Sequence, residues 1–374
     1  MRVLVAPDSF GGTLTAAEVA AAFRVGWHEV RASDHVQVLP LSDGGEGFLE
    51  VVGASLVDAR TTLIEVAGTD SRPLHAPVLW LDDRTALLES ATICGLPPAG
   101  APRRPLEATS FGIGQALTAV LEQGADHIVL GLGGTGVVDG GSGALNGLGL
   151  CLKVADGSGL RIGAGDLASC VEVSDGRSPW SDRVTLELLA DTDVVLAEAV
   201  TRYGPQKGVT DAQMGPLGEA MASWERVLTD AYPGSVDGST PRAGAAGGLG
   251  FALAVALGGR LMSGSAWVSE RVGLAEAVAA ADLVVTGEGR LDGTSSADKV
   301  VARVLATSSA HARPTALVVG SVMPGAADAL GVPADRVVTA PASGPGPAAV
   351  AAVRGAARTL AQRVSSVHSC PAAL

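Results

Sequence analysis

Four short segments set carboxylates beside clustered glycines: Asp8-Ser9-Phe10-Gly11-Gly12, Asp43-Gly44-Gly45-Glu46-Gly47, Asp139-Gly140-Gly141 and Gly287-Glu288-Gly289-Arg290-Leu291-Asp292. Glycine lets backbone N–H groups close on an anion and tolerates positive φ, while a fixed carboxylate holds Mg²⁺ or takes a proton from a substrate hydroxyl. The combination points to a site for phosphate and metal. An Asp beside Ser or Gly more often makes a turn or caps a helix. Position argues against that reading for Asp8 and Asp43, because each follows a strand-like run, Val3 to Ala6 and Val36 to Leu39. As neighbours in one parallel sheet, those strands would deliver both carboxylates to the carboxyl edge, where such folds bind ligands. Asp191, closing the apolar run Val184 to Ala190, would join them from a second lobe.

Cations to face an anionic ligand are scarce. Among them lysine is the rare type: only Lys153, Lys207 and Lys299 occur, in a chain of net charge −13. Gly204-Pro205-Gln206-Lys207-Gly208 reads as a rigid turn that presents Lys207 to a phosphate or carboxylate, against the plainer reading of a capping surface lysine. Arg290 and Lys299 flank Asp292 in the same manner, and there the plainer reading is a salt-bridged loop.

Gly131-Leu132-Gly133-Gly134-Thr135-Gly136 matches the dinucleotide fingerprint G-x-G-x-x-G in form. That fingerprint needs a helix opening at the glycines and an acidic residue about 20 positions on. Here the glycines continue through Asp139-Gly140-Gly141-Ser142-Gly143, and the nearest acid, Asp156, lies in a turn-like Asp-Gly-Ser-Gly. A phosphate-cradling loop fits better than a nicotinamide site. No G-x-x-x-x-G-K-[ST] and no H-R-D or D-F-G set occurs, so any phosphoryl transfer must use another architecture. No histidine lies near these loops in sequence.

The acidic balance repels nucleic acid and anionic membranes, which leaves a small molecule as the expected partner. The 47% hydrophobic content with 3% aromatic residues implies a core of small aliphatic side chains. The four cysteines, Cys94, Cys151, Cys170 and Cys370, form no C-x-x-C pair and read as buried free thiols. No signal-type or membrane-length apolar run is found, so a soluble, cytoplasmic protein is expected, with a homodimer as the assembly allowed for.

The length of 374 residues favours two domains. Val3 to Ala6, Leu14 to Val30 and Val36 to Leu39 read as a βαβ opening. In its helix Val19, Phe23 and Trp27 share one stripe, and Thr15 with Glu18 forms a capping box. Apolar strands follow at Ile128 to Leu132, Leu283 to Thr286, Ala316 to Val319 and Val337 to Val338. Thr61 to Val66, Ala76 to Leu81 and Thr85 to Leu88, joined by short turns, suit antiparallel pairing. The expected fold class is α/β with two lobes: a discontinuous Rossmann- or flavodoxin-like parallel-sheet domain (1–63 and 282–374), an inserted mixed α/β domain (64–281), and an active-site cleft between them.

In order along the chain, Ala6-Pro7-Asp8-Ser9-Phe10, Ser42-Asp43-Gly44-Gly45-Glu46-Gly47, Thr109-Ser110-Phe111-Gly112, Gly133-Gly134 with Asp139-Gly140-Gly141, Gly204-Pro205-Gln206-Lys207-Gly208, Gly244-Ala245-Ala246-Gly247-Gly248-Leu249-Gly250 and Thr286-Gly287-Glu288-Gly289-Arg290-Leu291-Asp292 resemble the signature blocks of the bacterial glycerate kinase family. The resemblance implies a two-lobed enzyme that moves the γ-phosphoryl of ATP onto glycerate with Mg²⁺. On that reading Asp8 or Asp43 accepts the hydroxyl proton, Asp191 joins the catalytic set and Lys207 neutralises the transferring phosphoryl. Ser9, Phe10, Gly44, Gly45, Gly133, Gly134, Glu288, Arg290 and Lys299 would bind substrate or nucleotide, and Asp139 and Asp292 would hold the metal.

The chain departs from the family pattern at Gly11, where Lys is usual, at Val138, where Asn is usual, at Asp298-Lys299, where Gly-Lys is usual, and in a shortened segment from Asp191 to Tyr203. The missing lysine would suit a neutral polyol, sugar or cyclitol acceptor, and a non-catalytic binding protein of the same fold is the rival from another class.

Overall fold

The computed structural model of the chain describes residues 1–56, 58–98, 100–292 and 299–368. Its contacts divide it into two compact units, one of Met1–Asp43, Glu50–Ser55 and Ser265–Leu374, the other of Gly44–Leu49 and Leu56–Gly264.

The first unit holds a five-stranded sheet in the order Val337–Thr339, Thr315–Val319, Leu283–Thr286, Arg2–Val5, His35–Val38, with every neighbouring pair parallel. Its central strands are valine-rich and buried, as a parallel sheet covered on both faces requires. The opening helix, Ala16–His28, starts at the expected capping box: Thr15 Oγ1 accepts the Glu18 N–H and Glu18 Oε2 accepts the Thr15 N–H. Its stripe of Val19, Phe23 and Trp27 is buried in one cluster with Val353, Ala357 and Leu360 of the helix Pro347–His368. Gly26 permits that approach, since a Cβ there would run into the backbone of Arg354.

The second unit holds a six-stranded mixed sheet in the order Arg260–Met262, Thr185–Leu189, His127–Gly131, Thr85–Glu89, Pro73–Trp80, Arg60–Ala67. The first four strands run parallel and the last two pairings are antiparallel, so the expected hairpin region is found. The short antiparallel pair Cys151–Val154 and Cys170–Ser174 and the edge strand Arg260–Met262 were not foreseen. The core gathers Trp80, Leu88, Leu130 and Leu188 from the sheet with Trp224 and Phe251.

Two expectations are corrected here. Gly204 to Lys207 form no free turn: they end the helix Ala199–Lys207, and Gly208 at φ 91° terminates it in the left-handed conformation. Cys94 and Cys170 are buried but Cys151 is exposed, and Cys370 lies outside the described residues. Among the described residues no helix is long and apolar enough to cross a membrane.

Candidate active site

In the first unit, sheet pairing continues past the strand ends and thereby aligns the acidic turns. Leu39 and Leu41 donate their N–H groups to the carbonyls of Val5 and Pro7 at 2.8 and 2.9 Å. On the other side Ala6 donates to Val285 at 2.8 Å and Asp8 to Gly287 at 2.9 Å, while Thr286 Oγ1 donates to the Ala6 carbonyl at 2.7 Å. The loops carrying Asp8, Asp43 and Gly287–Asp292 therefore leave one carboxyl edge side by side. Asp8 Oδ1 accepts the Ser9 N–H at 2.7 Å, and Asp8, Ser9 and Asp43 are half-buried. Phe10 is buried and pairs with Leu14, so it anchors its turn in the core. Of the glycines of the last turn, Gly287 is a steric necessity and Gly289 is tightly packed. A Cβ on Gly287 would run into the Val318 carbonyl, and one on Gly289 would lie 3.1 Å from Phe10 Cα. Glu288 and Asp292 are half-buried and Arg290 is exposed. Lys299 is the N-cap residue of the helix Val300–Ala310, and Asp298 lies outside the described residues.

In the second unit, the carboxyl ends of the parallel strands hold the glycine loops by close backbone contact. A Cβ on Gly131 would meet the Gly44 carbonyl, and one on Gly133 would meet Gly45 Cα. Glu89, at the end of its strand and 3% exposed, bonds the same segment: its two carboxylate oxygens accept the N–H groups of Gly47 and Leu49, each at 3.1 Å. Burial raises the Glu89 carboxyl above its ordinary pKa, partly offset by those backbone donors. Ser90 Oγ donates to the Gly133 carbonyl at 3.2 Å. Asp191 Oδ1 accepts from Ser263 Oγ at 2.9 Å and from the Gly264 N–H at 2.8 Å.

Lys207 and Asp139 lie beneath this edge. Lys207 is 6% exposed, and its ammonium donates to the Val137 carbonyl at 2.7 Å and Thr135 Oγ1 at 3.1 Å, tying down the glycine loop from Gly133 to Val138. Desolvation pulls it down to about 8, against smaller opposing effects of Cys94 and Asp139. Asp139 is fully buried; its Oδ2 accepts the Ser110 N–H at 2.7 Å and Ser110 Oγ at 2.9 Å, and its Oδ1 accepts the Gly141 N–H at 3.2 Å. Burial pushes its pKa up. The neighbouring segment between the helices Asp211–Ala231 and Leu249–Leu257 is strained: Arg242 and Ala246 take φ of 74° and 54°, with Gly247 packed so closely that a Cβ would meet the Val137 carbonyl. Backbone outliers of this kind concentrate at functional sites.

Asp8, Asp43, Glu288, Arg290 and Asp292 thus share an edge of the first unit, and Gly44, Gly45, Gly133, Gly134, Asp191 and Lys207 share a region of the second. Mg²⁺ takes one or two carboxylates together with phosphate oxygens and water. Half-buried Asp8, Asp43 and Asp292 suit that donor set; buried Asp139, already accepting from the backbone and Ser110, does not. Among the described residues no three His, Cys, Asp or Glu side chains cluster as an all-protein metal cage. Glu89 escaped the reading of the sequence, although a lone acid closing the apolar run Thr85 to Leu88 was the available signal.

Comparison with known proteins supplies the remaining finding. The family model described as "Glycerate kinase family" matches residues 3–370. An uncharacterized protein of Mycobacterium bovis is 39% identical over 333 residues, covering 86% of this chain and 79% of that protein. Glycerate 2-kinase of Escherichia coli is 32% identical over 327 residues, covering 86% of each chain. A crystal structure of putative glycerate kinase 2 from Salmonella typhimurium LT2 superposes with a TM-score of 0.76 at 30% identity, over 99% of this chain and 100% of that one.

Proposed function

Since the chain belongs to the glycerate kinase family, we propose that it phosphorylates a hydroxyl of glycerate with ATP as donor, as a cytoplasmic enzyme. The observation that carries this reading is the pairing of the Asp8 and Asp43 loops at one carboxyl edge, held by the 2.9 Å bond from the Leu41 N–H to the Pro7 carbonyl. In the proposed step one of these carboxylates accepts the hydroxyl proton as the oxygen bonds to the γ-phosphorus, and the bond from that phosphorus to the β,γ-bridging oxygen breaks with release of ADP.

Arg290, exposed on the adjacent turn, offers a guanidinium to the substrate carboxylate. The loop at Gly133 and Gly134 gives phosphate a close backbone approach. Lys207 acts on that loop as a positioning residue through Thr135 and Val137, because its ammonium is already engaged inside the unit. Asp191 orders the Ser263–Gly264 turn. Mg²⁺, held by Asp43 with Asp8 or Asp292, would neutralise charge on the phosphate oxygens.

The test is a coupled ADP-release assay with Mg²⁺, ATP and D- or L-glycerate, the product read by ³¹P NMR. Turnover at ordinary enzyme rates, roughly 1–1,000 s⁻¹, supports the reading. Transfer to a polyol panel in preference to glycerate, or ligand binding with no transfer, overturns it.

A further inference from the structure

The second unit carries an open cavity of about 920 Å³ that none of the expected acidic turns lines. It lies between the hairpin turn Gly68 to Arg72 and the proline-rich segment that follows the helix Ser90–Cys94, with Gly136 and Lys207 forming part of its wall. The walls are fixed. Thr69 joins both, its hydroxyl donating to the Gly95 carbonyl at 3.2 Å and its own carbonyl accepting the Thr109 N–H at 3.1 Å. The turn itself is closed by the bond from the Gly68 N–H to the Arg72 carbonyl at 2.7 Å, with Ser71 at φ 64°. On the opposite side the Leu96 N–H donates to the Gly134 carbonyl at 3.1 Å and the Gly136 N–H to the Cys94 carbonyl at 2.8 Å, so the cavity wall and the glycine loop are one piece.

Charge and shape define the occupant. Arg72, Arg103, Arg104 and Lys207 line the cavity against two carboxylates, Asp70 and Glu107, an excess of positive charge in a protein of net charge −13. The arginines have local partners, Asp70 at 3.5 Å from Arg72, Glu107 at 3.0 Å from Arg104, and the Gln206 carbonyl for Arg103. Ion pairs this exposed contribute little and exchange readily for a ligand phosphate. Leu96, Pro97, Pro98 and Pro102 add a rigid apolar wall of the kind on which a planar ring rests without ordering cost. A three-carbon acid would leave most of this volume empty, whereas cavities of roughly 300–1,000 Å³ hold ligands of nucleotide size.

We propose that this cavity is the nucleotide site: the base lies against the proline wall, the phosphates engage the arginines, and the chain of phosphates runs toward the Gly133–Gly136 loop. The proposal rests on the kinase reading and names where its donor binds.

The test measures binding of ADP and of a non-hydrolysable ATP analogue by calorimetry, for the wild type, Arg72→Glu and Arg103→Glu, with thermal melting as the fold control. Arg72→Glu alters an exposed turn residue and keeps the test valid if Arg103→Glu misfolds. Each variant is expected to raise Kd at least tenfold, more at low than at high salt, and photolabelling with 8-azido-ADP is expected to mark peptides spanning residues 68–74 or 92–98. Unchanged Kd in both folded variants, or label confined to other peptides, overturns the proposal even if glycerate is turned over. A wild type that binds nucleotide here and fails to phosphorylate glycerate leaves the site standing and sinks the activity alone.

Discussion

Glu89 holds Leu49 by a 3.1 Å hydrogen bond from its backbone N–H, and Gly47 by another of equal length, so a single buried carboxylate fixes the exit of the Asp43-Gly44-Gly45-Glu46-Gly47 turn. Glu89→Ala leaves the buried Leu49 N–H unpaired, at a cost of about 1–3 kcal/mol, and the half-buried Gly47 N–H unpaired at a smaller cost. Thermal melting should fall by several degrees, and kcat/KM should fall at least tenfold. Glu89→Gln, which keeps the shape and one acceptor, should recover most of the stability and only part of the rate. Equal loss in both variants would refute the positioning role.

Asp8→Asn and Asp43→Asn preserve volume while removing the proton acceptor. The variant that carries the base should lose about 100- to 10,000-fold in kcat with unchanged melting. The other should change mainly KM or the Mg²⁺ requirement. Steady-state kinetics across a Mg²⁺ titration separate the two, and two near-normal variants would remove both residues from the reaction.

For Lys207 the sign of the pH effect follows from its depressed pKa, about 8 against a usual 10.5. The unfolded chain holds this proton more tightly than the folded one, so the charged ammonium opposes folding below about pH 8. That opposition fades as pH climbs from about 8 toward the ordinary lysine range. Activity should behave in the opposite sense, with an alkaline limb centred near pH 8 as the donor to Thr135 and Val137 loses its charge. Lys207→Met should abolish that limb and lower kcat; it relieves the desolvation of the charge but leaves the Val137 carbonyl and Thr135 Oγ1 without their donor, so melting should fall by a few degrees. Persistence of the limb in the variant would assign it to another group.

Glycine substitutions divide sharply by position. Gly131→Ala would force a Cβ into the Gly44 carbonyl and should cost both stability and activity, whereas a Cβ on Gly11 meets nothing within 4 Å. Gly11→Ala should therefore fold and melt like the wild type, and Gly11→Lys should lower KM for glycerate by adding a cation one turn from Asp8. A large melting loss at Gly11 would contradict this geometry.

The opening strand, turn and helix were legible because local signals agreed: the Thr15–Glu18 capping box, the Val19, Phe23, Trp27 stripe and a valine-rich strand on each side all favour the same arrangement. The adjacency of the Asp8 and Asp43 loops followed from strand order alone and is found in the paired strands Arg2–Val5 and His35–Val38. Lys207 was harder to place. Glycine and proline around it signal a turn, yet the helix Ala199–Lys207 runs through Pro205 to Gly208, and only packing decides that its ammonium points inward. Asp139 misled for a related reason. Its glycine neighbours suit a ligand loop, but the groups that saturate its carboxylate come largely from Ser110, 29 positions away.

The pairing of Arg2–Val5 with Leu283–Thr286 has a kinetic consequence for biosynthesis. The amino-terminal strand emerges from the ribosome long before its inner neighbour exists, a delay of roughly 15–60 s at 5–20 residues per second. Throughout that interval its edge toward Leu283–Thr286 lacks a partner, while the six strands between Arg60 and Met262 can already find one another. Nascent chains stalled before residue 283 should accordingly be protease-sensitive at their beginning and resistant in their middle.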